Sequence, residues 1–268
     1  LGQKWGDFVE LSNSANSVSL DNSKFAKLSS VDLSVQSLTE KQVIEMWLLF
    51  ESYYDDVTYD KFLNDLYDKS RVILLLDRQK RIQGFSTIKS FYIEVDGQRA
   101  RVIFSGDTII AQAYWGQTAL QKRFYLYLFK EFIKHPFIPV YWYLISKGYK
   151  TYLLLSRNFN AYWPCHFQDM PSNIKNIIAY LSERMFADAW RAETGTLEFS
   201  EQAGKLKQAV APVTSELRRF PDIDFFVKTN PKHSVGNELC CLGLVNASLV
   251  WGYPFKLVKK LVRRLRKT

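Results

Sequence analysis

Three things are scarce in this chain of 268 residues. Cysteine occurs three times, as Cys165 and the neighbours Cys240 and Cys241. An odd count with two adjacent members does not suit a disulfide framework and fits reduced thiols in a cytosolic protein. Histidine also occurs three times, at the scattered positions 135, 166 and 233, so the close ligand spacing that a metal centre requires is missing. Long apolar runs are absent: none approaches the roughly 20 residues needed to cross a bilayer. The opening stretch, LGQKWGDFVELSNSANSVSL, lacks the cationic-then-apolar layout of a secretory signal, and a cytoplasmic protein is expected.

Acid is missing from one place in particular. The last stretch, FKLVKKLVRRLRKT, carries seven lysines and arginines and no carboxylate, so the formal charge of +9 leaves only +2 for everything before residue 255. A basic face for gripping nucleic acid is therefore not what the charge describes, and no nucleic-acid partner is expected. Phe255, Val258, Leu261, Val262 and Leu265 fall together at helical spacing among those cations. Such a tail suits an anionic membrane surface or an acidic carrier protein; its plain alternative is a terminal helix packed on its own domain.

What is present is apolar substance, 47% of the residues, enough for one sizeable core. Residues 1–37, rich in serine and asparagine, read as an irregular arm; 38–250 read as the domain, and 251–268 as the tail. Thr39 and Gln42 form a capping box ahead of a helix carrying Val43, Met46, Trp47, Phe50 and Tyr54, and YDKFLNDLYDK reads as a second helix. Three strands are expected at RVILLLD, IQGFSTIKSFYIEV and QRARVIFSGDTIIA, the last two joined by the hairpin signal Asp96-Gly97. A helix over 115–134 and a strand at IPVYWYLIS follow. Beyond the turn-rich RNFNAYWPCHFQDMP comes a helix of about five turns marked by Ile174, Ile177, Ile178, Leu181, Met185 and Trp190, within a helical insertion at about 164–220. DIDFFVKT and LCCLGLV read as a closing hairpin of two strands joined by NPKHSVGNE.

That order of elements, with the strand–turn–helix AYWGQTAL, resembles the GNAT acyltransferase superfamily. The resemblance implies an α+β fold: a mixed, mostly antiparallel twisted sheet flanked by helices. It also implies an acyl group moved from acyl-CoA, or from the acylated phosphopantetheine of an acyl-carrier protein, to an amine, with no permanently bound cofactor. The family's glycine-rich turn, whose amides hold the pyrophosphate, matches here at Trp115, Gly116, Gln117 and Thr118. Only Gly116 retains the family's glycine; Trp115 stands at the arginine or glutamine place, and Thr118 and Leu120 stand where small residues are usual. Helix starts attract anions whatever their side chains, whereas glycines admit bulkier groups. This turn therefore suits the single phosphodiester of a carrier protein at least as well as free coenzyme A, the alternative being a plain structural corner. FSGDTII, NFNAYWP and NPKHSVGNELCCL are similar to the lipid-transferring GNAT-like maturases, which acylate lysine or ornithine side chains of peptides.

Asp107 is the leading catalytic candidate, a carboxylate beside Gly106 in an apolar strand, where glycine commonly marks a bulge. It reads either as the base for the attacking amine, with Ser105 on the same face at the acceptor, or as the cap of a local bulge. The resemblance implies backbone amides near Ile109 and Ile110 for the oxyanion and Tyr162 as proton donor to the leaving thiolate. His233, in the last loop, and His166, after AYWPC, are candidate groups on the acceptor side; both also read as ordinary loop residues. The crowded aromatics of FYLYLF, VYWYL and KGYKTYLLL suit a fatty-acyl tunnel or simply a core. A membrane acceptor, such as an amino-acid or lysolipid headgroup, and a non-catalytic acyl or peptide binder remain the rival functions.

Overall fold

The structure, a computed structural model, describes residues 27–55, 57–199, 205–206 and 213–247. The tail at 251–268 and most of the arm at 1–37 lie outside the described residues. In chain order the elements are β1 (Ser29–Ser34), α1 (Glu40–Glu51), β2 (Tyr54–Asp55), α2 (Tyr59–Tyr67), β3 (Arg71–Leu76), β4 (Ile82–Val95) and β5 (Gln98–Ile110). Then come α3 (Ala119–Lys134), β6 (Val140–Ser146), α4 (Tyr149–Asn158), β7 (Tyr162–Trp163), α5 (Ser172–Phe186), β8 (Trp190–Arg191) and β9 (Thr196–Leu197). The last are β10 (Lys205–Leu206), α6 (Pro221–Thr229) and β11 (Glu238–Val245). The main sheet runs β1-β3-β4-β5-β6-β11-β9-β8, with β7 added to β11, and β10 pairs with β2. Every pairing is antiparallel except β5 with β6. This is the mixed, mostly antiparallel sheet flanked by helices that the sequence led us to expect.

Local chemistry sets the first elements. Thr39 Oγ1 accepts from the Gln42 amide at 3.3 Å and Gln42 Oε1 accepts from the Thr39 amide at 2.9 Å, closing the capping box. Asp96 and Gly97 both have positive φ, +53° and +72°, and join Val95 to Gln98 as a two-residue hairpin turn. On one face of the sheet Val43, Met46 and Phe50 of α1 and Phe62 and Leu66 of α2 pack on Val72, Leu74, Phe85 and Ile109. Ile174, Ile177 and Leu181 of α5 cover Val102, Phe104, Tyr143 and Cys240 on the same face. The opposite face carries α3, α4 and α6 over Ile73, Ile103, Trp142 and Cys241. The aromatics read as tunnel or core are core: Tyr143 and Tyr152 are wholly buried.

Four expectations need correction. Residues 29–34 of the arm form β1, which pairs with β3 along its whole length; Val31 and Leu33 alternate inward, and Arg71 Nε reaches Asp32 Oδ1 at 2.7 Å. Two apolar residues among serines are too few to announce a strand, but they suffice at a sheet edge. DIDFFVKT is a helix, α6, with Pro221 at its start, Asp222 and Asp224 in its first turn, and Ile223 and Phe226 buried one turn apart. The domain thus closes on one long strand rather than a hairpin. The long helix stops short of Trp190: α5 ends at Phe186 and Trp190 lies in β8, while Tyr149–Asn158 adds helix α4. The expected helix 115–134 begins at Ala119, because a 3₁₀ turn at Gln112–Tyr114 and the left-handed Gly116 come first.

Candidate active site

The sheet opens at one point, and the sequence around Gly106 is the reason. Ile88 pairs with Ser105 and Ser86 with Thr108, so Thr87 alone faces both Gly106 and Asp107. That is a β-bulge, an extra residue that bends the strand. Glycine is required there for space: a Cβ at position 106 would stand 2.5 Å from Thr87 Oγ1 and 3.1 Å from Lys69 Cε. On its other side β5 runs parallel to β6 only from Arg101 opposite Val140 to Phe104 opposite Tyr143. β6 continues, paired with β11 as far as Ser146 opposite Leu239. From Ser105 onward β5 therefore lies beside β4 alone, and a gap separates it from β6.

The bulge also switches the parity of the strand. Ser105 accepts a hydrogen bond from Trp142 Nε1 at 2.9 Å, on the α3 side of the sheet. Asp107, two residues on, has Lys69 and Asp65 of the α2 segment as its charged neighbours, on the other side. Simple alternation would put the two on one face, and the extra residue separates them. Asp107 is half-buried, and burial pushes its carboxyl above the usual range; Lys69 opposes the shift and Asp65 adds to it.

Two residues that sequence reasoning missed stand with Asp107. Glu238, at the start of β11, has its carboxyl pushed up to about 7 by burial, with Lys147 opposing and Asp107 adding. Tyr54 of β2 has its phenol raised by burial and then by both carboxylates, Asp107 and Glu238. The only sequence signal for Glu238 was a lone acid abutting the apolar run LCCLGLV. Tyr54 gave none, since it reads as one more helix aromatic.

The turn into α3 is partly spent on itself. The amide of Trp115 donates to Gln112 O at 3.2 Å and that of Gln117 to Tyr114 O at 3.3 Å. Trp115 Nε1 caps Ile110 O at 2.7 Å, and Gln117 Oε1 accepts from the Leu28 amide at 3.0 Å. The first bond into the helix is Lys122 N to Thr118 O at 3.1 Å. Among the described residues no backbone carbonyl accepts from the amides of Gly116, Thr118, Ala119, Leu120 or Gln121. Gly116 and Thr118 are exposed, so solvent reaches this start. Of the oxyanion candidates, only one is aimed at the gap. Ala111 N donates to Gln83 O of the β4 side at 2.8 Å, and backbone directions alternate along a strand. The Ile109 amide is thus turned to β4, while those of Ile110 and Thr108 face the gap.

The remaining candidates gather elsewhere. Tyr162 lies opposite Gly243 of β11, and its hydroxyl donates to Asp222 Oδ1 at 3.3 Å. His166 Nε2 is 3.5 Å from the same oxygen. Tyr162 packs with Tyr152 and Phe226 on the α4–α6 side, the face opposite Asp107, and burial raises its phenol. The His233 ring sits against Phe226 with Nδ1 2.9 Å from Asn230 O. The structure thus joins Asp107 with Glu238 and Tyr54, and brings neither histidine nor Tyr162 to it.

No protein-family model matches this chain, and no curated protein does either. Solved structures similar to it include a GNAT family N-acetyltransferase, YhbS of Escherichia coli, in complex with CoA. That likeness has 11% identity and a TM-score of 0.35, over 50% of this chain and 69% of that one. A probable N-acyltransferase of Enterococcus faecalis is similar over 82% of this chain and 66% of its own, at 10% identity and a TM-score of 0.39. NAA60 of Arabidopsis thaliana, in complex with a bisubstrate analogue, is similar over 54% of this chain and 92% of its own, at 12% identity and a TM-score of 0.37. Likenesses of this order leave the case for function to the geometry of the site.

Proposed function

We propose that the protein is an N-acyltransferase that moves an acyl group from a phosphopantetheine thioester to an amine. The observation that carries this reading is the parting of β5 from β6 at the residue where the bulge presents Asp107, beside a helix start with unspent amides. The donor's extended arm enters the gap, where the Thr108 and Ile110 amides supply the backbone donors that β6 does not engage. Its phosphate meets the amides from Thr118 to Gln121 and the positive end of α3. The thioester carbonyl then polarises against the Ile110 amide. The amine arrives from the α2 side, and Asp107, its proton affinity raised by burial, takes a proton from the attacking nitrogen. Ser105, across the sheet, positions the gap wall through Trp142.

The donor is an acylated carrier protein as readily as acyl-CoA. Trp115 and Gln117 spend their amides within the turn, and the donors from Thr118 onward suit the single phosphodiester of a carrier protein at least as well as a pyrophosphate. A fatty acyl group and a peptide lysine or ornithine acceptor extend the reading. The acyl chain has a candidate place in a cleft of about 560 Å³ at the end of α5, where Met185, Phe186, Ala189 and Phe199 share the lining with the charged Asp188, Arg191 and Glu198, next to Leu197, the partner of Glu238. The reading places the protein in the cytoplasm, and the composition of the basic tail suits an anionic surface. Among the described residues no helix is long and apolar enough to cross a membrane.

The test is turnover of an octanoyl thioester, as octanoyl-CoA and as octanoyl-carrier protein, with amine and peptide acceptors, read by intact mass. Asp107→Asn is expected to lower kcat on the order of 10²- to 10⁴-fold with the donor Kd unchanged. Tight donor binding with no acylated product from any acceptor would make the protein a binder and end the enzymatic reading.

A further inference from the structure

The acceptor side of the gap holds one carboxylate more than a single base requires. Resting on the transfer reading above, we propose that Glu238 is a second catalytic carboxylate. It docks the acceptor as an alkylammonium cation and takes its first proton, leaving the second to Asp107.

Register places the two groups near one level. Phe104 is level with Tyr143, and Asp107 lies three residues further along β5, one of them the extra residue of the bulge, so it reaches the level of Ile145 and Ser146. Ser146, three residues beyond Tyr143 on β6, is level with Leu239, the neighbour of Glu238. Both side chains face the same side of the sheet. Cys240 and Leu242, which share the parity of Glu238, pack under α5, and Ile109, which shares that of Asp107, packs under α1 and α2 on that face. The carboxylates thus flank the mouth of the gap from its two sides, with Tyr54 in the field of both.

Neither carboxylate is matched within the fold. Among the described residues no lysine, arginine or histidine comes within ion-pair distance of Asp107 or Glu238, whereas Asp32, Asp68, Asp77, Glu131 and Asp224 are each paired. Lys69, in the turn after α2, and Asp65 of α2 face Asp107, and Lys147 faces Glu238 from the β6–α4 turn, but both lysines act at longer range, and the Asp107 carboxylate accepts from its own backbone amide. Half-buried anions left so are costly unless a cation completes them. Thr87, 2% exposed, gives a second and independent sign: its Oγ1 lies against the bulge at Gly106 with no hydrogen-bond partner. An unpartnered hydroxyl at the bulge that carries Asp107, with an unpaired carboxylate on each side of the gap, describes a place short of hydrogen-bond donors, which an ammonium supplies.

The proton count calls for two acceptors. An alkylammonium must lose one proton before its nitrogen can attack and a second after the C–N bond has formed. Glu238 takes the first, and the freed lone pair attacks the thioester carbon. Asp107 takes the second from the tetrahedral adduct, and the C–S bond breaks with its electron pair on sulfur. The thiolate then takes up one proton, and the other passes to solvent. The balance is ammonium plus thioester to amide, thiol and one released proton.

An amine that is already neutral needs only the second step, which gives the test. With an octanoyl thioester as donor, kcat/KM is measured for butylamine, a cation at neutral pH, and for methoxyamine, which is uncharged there. Glu238→Gln is expected to lower the butylamine value on the order of a hundredfold and the methoxyamine value by less than about threefold, with Glu238→Asp recovering part of the former. Equal losses for both acceptors overturn the role given to Glu238 while leaving the transfer reading intact. A wild-type protein that acylates neither amine overturns that reading instead. Should the variants fail to fold, the wild-type pH profile decides. The butylamine value is expected to level off once Glu238 is ionised, well below the roughly pH 10 at which an alkylammonium itself titrates, and a rise that continues toward that pH refutes the assignment.

Discussion

At the residue scale the site depends on the missing side chain at Gly106. Any Cβ there would meet Thr87 Oγ1 and the Lys69 side chain inside contact distance. Gly106→Val is therefore expected to straighten or shift the bulge and to destabilise the protein by about 1–3 kcal/mol, a cost typical of overpacking. It should abolish turnover even where a urea titration still reports a folded protein. Glu238 carries a stability signature of its own. Its carboxyl is raised from the ordinary 4.5 to about 7. The folded state thus holds a proton that the unfolded chain has lost between those values, and stability from this group is lost as pH rises through that window. Urea midpoints should fall from about pH 4.5 to 7 by up to roughly 3 kcal/mol in ΔG, by the linkage of one pKa unit to about 1.4 kcal/mol. In Glu238→Gln that dependence should flatten. A wild-type midpoint that instead rises through the window would mean that Glu238 is solvated.

At the scale of elements, legibility followed locality. The capping box at Thr39, the Asp96-Gly97 turn and the bulge at Gly106 are each dictated within a few residues, and all three were readable. α6 was not, because DIDFFVKT fits both periods: Ile223 with Phe225 alternates, and Ile223 with Phe226 is one helical turn apart. Pro221 and the two early aspartates were the deciding signals. Nor was the splitting of the candidate set by the sheet. Tyr162, His166 and His233 neighbour Asp107 in expectation only, since the face a residue takes depends on how helices α4 and α6 stack behind β11. Gly243 shows how tight that stacking is. A Cβ there would stand 2.5 Å from Leu155 Cδ1 and 2.9 Å from Phe159 Cδ1, both buried side chains. Gly243→Val is expected to lift α4 at a cost of about 1–3 kcal/mol. Near-ultraviolet circular dichroism should register the movement around Trp142, which lies 5.4 Å from the Phe159 ring.

On the scale of the whole molecule, the composition identified where charge and apolar surface concentrate, but it did not reveal which face meets which substrate. On the proposed reading the fold divides the two: the donor at the start of α3 and the acceptor on the side of α1, α2 and α5. The tail at 255–268 lies outside the described residues, and its part in acceptor choice is open to a direct measurement. Deleting it should leave turnover of a soluble lysine peptide within about twofold, as expected of surface changes away from a site. A loss confined to reactions on anionic vesicles would instead assign the acceptor to the membrane.

The parting of two strands in mid-sheet has a further consequence. Unpaired strand edges invite other chains to add to them, and proteins usually shield or charge such edges. Here the bare edge of β5 faces its former neighbour β6 across the gap, within the sheet rather than at its rim. On the proposed reading an extended thread fits between the two, so the same peptide groups that would glue copies of the chain together at a rim are turned toward a co-substrate instead.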